Sequence, residues 1–256
     1  LVYLLGRYSN LPKNWSILAL IIISLDKQFW YLSTSAMLDI FLLVFLLLAF
    51  LSAYRGLKNP SWFLLSSLFL GFMASTKLYF TSLVAVAVCT LAILSTGSFK
   101  KFIQFIFSLI FYPVGFMLPY INSFLEGISL LDFLRFQRWL THWWAGNSKV
   151  PFGGIFPMIF LNQWHTWWGK KAILPVPDWN IFWPISAGLA YLSPIFMKSN
   201  KLVLLTVFWI IGYLGFLTIT SPFPRYILLL FPFWVVLALK SIHEAFTRFS
   251  HFQGRS

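Results

Sequence analysis

Along the chain, apolar runs of membrane-crossing length alternate with short polar breaks, and no run shows the strict every-other-residue pattern of a strand. A helix needs about 20 apolar residues to cross the hydrocarbon core of a bilayer, with tilted helices varying around that length. After Leu1-Val2-Tyr3-Leu4-Leu5, a polar break runs from Gly6 to Asn14. Helical spans are then expected at 15–31, 39–54, 61–76, 79–95, 102–121, 183–196, 202–219 and 226–242. The opening five residues read as the tail of a helix, so at least one more span is expected before Leu1. They lack the charged region and cleavage site of a signal peptide.

Composition names the solvent. Hydrophobic residues make up 59% and charged residues 10% of the 256, and the mean hydropathy is +0.80. A chain so poor in charge cannot cover its own surface in water, where about 25% charged residues is usual. Lipid must therefore solvate most of it. The 13 Trp and 10 Tyr suit membrane interfaces. The lone Cys89 lies in an apolar run, which excludes a disulfide framework or a cysteine zinc site. The net charge of +13 does not indicate nucleic acid, because the cations sit in short clusters between spans and not on one basic face.

Those clusters give the spans a direction. Arg7, Lys13, Arg55, Lys58, Lys100, Lys101, Lys198, Lys201, Lys240, Arg248 and Arg255 fall on one side, with Glu244 the one acid there. The positive-inside rule makes that side cytoplasmic. The other side holds the remaining eight cations and five of the six acids, so the net charges are +10 inside and +3 outside. The alternation requires 61–95 to be a hairpin of two spans turning near Lys77. It divides the chain into 1–121, the N-terminal part of a membrane bundle; 122–182, a long outer loop; and 183–256, the C-terminal spans with a short basic tail. The loop is rich in Trp and Pro and too apolar to be a disordered linker. Its pieces 128–136 and 155–161 are expected to be short amphipathic helices in the outer interface. Long loops of such specific chemistry are usually functional.

Charges at membrane depth are costly, so those at the outer boundary are the first site candidates. Asp39 opens a span; it either complements the helix dipole, with Ser35 as the cap, or serves a site. Lys77, at the outer hairpin, either snorkels to lipid phosphate or faces inward to hold an anion. Arg225 follows Ser221-Pro222-Phe223-Pro224 at the mouth of the last span. Its planar fork of donors suits phosphate, and the alternative is an interfacial anchor beside Tyr226. In the loop, Gln137, His142, Trp164, His165, Trp167 and Trp168 combine aromatic faces with amide and imidazole groups. That mixture fits a sugar ring or acceptor as well as it fits an aromatic belt. Two histidines without a neighbouring carboxylate are a weak metal signal, and a divalent metal is left open. The chain has no Walker loop, no G-x-S-x-G and no H-E-x-x-H.

At these residues the chain resembles the GT-C glycosyltransferases, in particular the protein O-mannosyltransferase and aminoarabinose-transferase-like group. Leu4-Leu5-Gly6-Arg7 is similar to the family segment after its second span. Ser35-Ala36-Met37-Leu38-Asp39 is similar to its M-L-D stretch, and Gly71 to Lys77 to its G-x-x-x-S-T-K segment. Phe223-Pro224-Arg225-Tyr226, followed by Phe231-Pro232, is similar to its P-R-Y…P span. Gln137…His142 and Trp164…Trp168 loosely match the mannosyltransferase loop.

The resemblance implies an all-α, polytopic, GT-C-like transmembrane bundle whose long outer loop carries short interfacial helices. It also implies an enzyme that moves a sugar, mannose first, from a polyprenyl- or dolichyl-phosphate donor to a protein or lipid hydroxyl. The reaction would occur at the outer or lumenal face, here the outer face of a prokaryotic cytoplasmic membrane. Lys77 and Arg225 would bind the donor phosphate and Asp39 would be a supporting carboxylate. The family's catalytic acid follows its first span, so the base is expected upstream of Leu1. The chain departs from the family in lacking the arginine before M-L-D and the loop string H-P-Y-x-S. The other readings are a transporter or lipid flippase, and a non-catalytic scaffold with the Trp-rich loop as its partner surface.

Overall fold

The computed structural model describes residues 1–35, 37–76, 79–147, 151–166, 172–193 and 200–253. Helix follows helix: α1 (Val2–Tyr8), α2 (Lys13–Ser24), α3 (Lys27–Thr34), α4 (Leu38–Gly56), α5 (Ser61–Thr76), α6 (Tyr79–Leu94), α7 (Phe99–Ser108), α8 (Phe111–Met117) and α9 (Ile121–Leu125) come first. The loop adds α10 (Leu130–Asn147), α11 (Ile155–Phe160) and a two-stranded hairpin, β1 (Gln163–His165) with β2 (Ile173–Pro175). The chain returns through α12 (Phe182–Tyr191), α13 (Lys201–Ile219), a 3₁₀ turn (Pro224–Leu229) and α14 (Phe231–Gln253). This is an all-α, multi-pass membrane protein.

Within the described residues each expected span contains helix, but not as eight equal rods; the end of the span 183–196 lies outside the described residues. Among the described residues, α4, α13 and the run Phe99–Leu125 are long and apolar enough to cross alone. A fourth would be α2 with α3, which are bent by 67°. That expected span, 15–31, breaks at Leu25-Asp26 because the Asp26 side chain accepts from Phe29 N and starts a new helix. α5, at 16 residues, covers only about 24 Å. The expected span 226–242 begins as a 3₁₀ turn at Pro224 and becomes α-helical only from Phe231. Two further readings change. Ser35 does not cap α4; it closes α3, and Met37 precedes α4 with no side-chain cap. The loop helix expected at 128–136 runs on to Asn147, and the hairpin had no counterpart in the sequence pattern.

Burial separates centre from rim. Over half of α4 and α13 is buried, against 17% of the Phe99–Leu125 run, whose Phe107 and Ile110 point outward. In a bilayer such residues meet lipid. The central helices pack aromatic on aromatic: Trp209 stacks on Tyr213 at 4.6 Å and meets Phe50 edge-on at 5.5 Å. Small polar groups tie the helices together, as expected where water cannot compete. Ser66 donates to Ala49 O at 2.9 Å, Ser82 donates to Leu70 O at 2.6 Å, and the Ser67 and Ser108 hydroxyls bond at 2.7 Å.

α5 and α6 form the antiparallel hairpin that the charge alternation required, although Lys77 itself lies outside the described residues. α5 is drawn onto α8 through two glycines. A Cβ at Gly71 would stand 2.2 Å from Tyr112 O, and one at Gly115 would stand 2.2 Å from Leu68 O. Only glycine permits this approach of backbone to backbone. As a result the starts of α4 and α6, the ends of α5 and α13, and the loop gather at one end of the bundle. The α4–α5 turn, the α1–α2 turn and the start of α13 gather at the other.

Candidate active site

Asp39 is the second residue of α4, so its carboxylate sits in the first turn, where the helix dipole favours it. It is also buried, at 3% exposure. Its partner comes from the far end of the sequence. Pro224, with fixed φ and no N–H to satisfy, opens the 3₁₀ turn and places Arg225 immediately after it. Arg225 Nε lies 3.6 Å from Asp39 Oδ1. The guanidinium lies over the rings of Phe223 (4.8 Å) and Tyr226 (5.7 Å) and keeps 23% of its side chain exposed. At 3.6 Å the two charges attract without a hydrogen bond.

The surrounding groups are correspondingly unsaturated. Asp39 Oδ2 and Arg225 Nε are buried with no hydrogen-bond partner among the described residues, and so is the Ser221 hydroxyl. Tyr213 interacts electrostatically with Asp39 and Tyr226, and its hydroxyl faces that of Thr81. Buried polar groups are nearly always paired, so the open Asp39 Oδ2 makes this carboxylate the first candidate for a functional role.

The loop supports this mouth. Trp164 stands opposite Leu174 in the hairpin, donates its indole N–H to Pro222 O at 3.1 Å and packs on Phe223 at 5.8 Å. It therefore braces the Pro222–Pro224 stretch that presents Arg225. Tyr120 donates to Ser75 O at 3.1 Å and interacts with the Gln137 side chain, which ties α10 to the end of α5. His142 is exposed, its Nδ1 2.9 Å from Arg138 O within its own helix. His165 is half-buried in β1. Neither histidine touches Asp39 or Arg225. Lys77, Trp167 and Trp168 lie outside the described residues. No three His, Cys, Asp or Glu side chains among the described residues cluster as metal ligands.

Sequence reasoning missed three residues here. Asp26, 1% exposed, accepts from Phe29 N (2.8 Å), Trp183 Nε1 (2.9 Å) and Asn180 Nδ2 (3.4 Å), clasping the α2–α3 elbow to the start of α12. Its signal was an Asp-Lys pair interrupting an apolar run. Tyr213 and Thr81 gave no signal, because a single hydroxyl in an apolar helix looks like any other. No curated protein and no solved structure matches the chain. Residues 1–121, the stretch that holds Asp39 and the whole Gly71–Lys77 segment, match the family model of the dolichyl-phosphate-mannose-protein mannosyltransferases, a glycosyltransferase family.

Proposed function

We propose that this protein transfers a sugar, mannose, from a polyprenyl- or dolichyl-phosphate donor to a protein or lipid hydroxyl, at the membrane face where Asp39 and Arg225 lie. The observation that carries the proposal is the Asp39–Arg225 pair, a buried carboxylate holding a partly exposed guanidinium at the bundle end. The family match over residues 1–121 supports the same chemistry and gives no support to a transporter or flippase. In this reading residues 1–121 and 183–256 form the membrane bundle and 122–182 the outer loop.

As the acceptor oxygen attacks the anomeric carbon, the bond from that carbon to the phosphate oxygen breaks and negative charge grows on the leaving lipid phosphate. Arg225 and Lys77 stabilise that charge. Such donors contribute most when fixed beforehand in a water-poor site. Asp39 aims Arg225. The proton of the acceptor hydroxyl needs a base, and none of these residues is assigned that role. We assign sugar and acceptor binding to the Trp-rich loop, with Gln137, His142, Trp164, His165, Trp167 and Trp168 as its contact residues.

The test is transfer from polyprenyl-phosphate-mannose by the full-length protein in membranes. Arg225→Ala and Lys77→Ala should each lower turnover by about 10²–10³-fold. Undiminished turnover in both would remove the phosphate clamp.

A further inference from the structure

At the end of the bundle opposite Asp39, about 22 Å away along α4, the structure holds a cavity. Its volume is about 250 Å³, and Asn10, Tyr54, Leu57, Lys58, Asn200 and Lys201 line it. Its walls are fixed. Asn200 Oδ1 accepts from Leu202 N at 2.9 Å, and Asn200 Nδ2 donates to Tyr8 O at 2.8 Å. Asn10 holds the α1–α2 turn with φ at 63°.

Several cations at this end are engaged. Arg55 donates to the Tyr8 hydroxyl at 2.6 Å and lies 4.7 Å over the Trp62 ring, and Lys240 pairs with Glu244 at 2.6 Å. Lys58 and Lys201 are different: among the described residues neither meets a carboxylate, and both turn to the cavity. Beside it, among Ala53, Ala92, Ile93 and Leu205, lies an apolar niche of only about 10 Å³, too small for a lipid chain, which shares Tyr54, Leu57 and Lys201 with the cavity.

Two lysines without a carboxylate partner, lining one cavity at the basic end of a membrane bundle, match an anionic lipid headgroup. We propose that this cavity binds the phosphate headgroup of an anionic phospholipid from the adjacent leaflet, whose acyl chains stay in the surrounding bilayer. Basic pockets between membrane helices take such headgroups, and each lysine near the surface adds to the attraction. The site is separate from the Asp39–Arg225 mouth and does not depend on the transferase reading.

The test is native mass spectrometry of the full protein taken from vesicles of mixed phosphatidylcholine and phosphatidylglycerol. The protein should retain phosphatidylglycerol selectively, and Lys58→Gln with Lys201→Gln should lower that retention by about 10-fold or more. Lys58→Arg with Lys201→Arg should restore it, which separates lost charge from lost folding. Lys100→Gln with Lys101→Gln, at the same end but outside the cavity, should leave retention unchanged. Full retention in the glutamine double variant overturns the proposal, as does an equal loss in the Lys100/Lys101 variant. Displacement of the lipid by inorganic phosphate alone would assign the cavity to a free anion and overturn the lipid.

Discussion

Asp26 and Asp39 are both aspartates at the start of a helix, both almost fully buried, and both in the N-terminal part of a chain with six acids. Their surroundings differ in kind. Asp26 receives neutral donors on both oxygens, from a backbone amide, an indole and a carboxamide. Asp39 faces one guanidinium beyond hydrogen-bond reach and leaves Oδ2 without a partner. The first arrangement is saturated and binds three helices together. The second is incomplete and holds a cation at a partly open mouth. Burial of a carboxylate is therefore no sign of function by itself; the number of hydrogen bonds still unspent is the better one.

The most direct way to break this contrast is at Arg225. Arg225→Ala should cost about 10²–10³-fold in transfer, and Arg225→Lys should recover little, because an ammonium lacks the planar fork. Recovery by lysine in the transfer assay would reduce the role of Arg225 to simple charge. Next comes Asp26→Ala, which removes a cap and strands two donors in the interior. It should lower stability by about 3 kcal/mol while leaving the turnover of the folded fraction near that of the unaltered protein. The thermal midpoint in detergent and turnover per folded molecule separate the two readouts. Asp39→Asn should behave in the opposite way, losing up to about 10²-fold in turnover through a misaimed Arg225 while the midpoint hardly moves. If both aspartates mainly changed stability, the distinction between clasp and mouth would fail.

How far these differences could be read from the sequence depends on the range of the interaction. Apolar run length gives the helices, because crossing a bilayer is a local requirement that 16 to 20 consecutive residues must meet. Charge alternation gives the hairpin of α5 and α6. Asp39 and Arg225 stand out singly, since a charge at an apolar boundary is conspicuous, but their pairing across 186 positions is legible only in the fold. Asp26 does not stand out in sequence because its partners Asn180 and Trp183, at the end of the loop and the start of α12, reach it along a path that no periodicity records. Trp164 stands out in sequence as an aromatic face, and the bond of its indole N–H to Pro222 O is a long-range contact that sequence does not record. Composition names which groups are present, and only the fold assigns their hydrogen bonds.

A smaller effect tests whether the site end is set by backbone contact. Gly71 lies within the segment similar to G-x-x-x-S-T-K, yet its neighbours are Tyr112 O, Phe116 N and the Gly115 Cα. Gly71→Ala must push α5 from α8, since no side-chain rotation relieves a clash with backbone. The expected loss is about 1–3 kcal/mol in stability, with weaker coupling of Tyr120 to Ser75. An alanine variant with an unchanged midpoint would show that the helices have room to spare.

The smallest effect belongs to a third aspartate, which shows what full exposure leaves of the same chemistry. Asp132 opens α10, accepts from the Ser129 hydroxyl at 2.6 Å and pairs with Arg135 at 3.3 Å. The Ser129 hydrogen bond first, and then the Arg135 charge, hold its carboxyl below the ordinary value of 3.8. A depressed carboxyl favours the folded helix end above its unfolded pKa, and that contribution fades as the pH falls through the folded value. Solvent screens the pair on all sides, so the effect is confined to the first turn. Amide-exchange protection of Leu131 to Leu134 should therefore fall as the pH drops below about 4, and Asp132→Asn should show the same lowered protection already at neutral pH. Amides around Asp26 should keep their protection over that range. Parallel loss at both aspartates would mean that the ends of the bundle open together, and the clasp at Asp26 would then be no firmer than a surface cap.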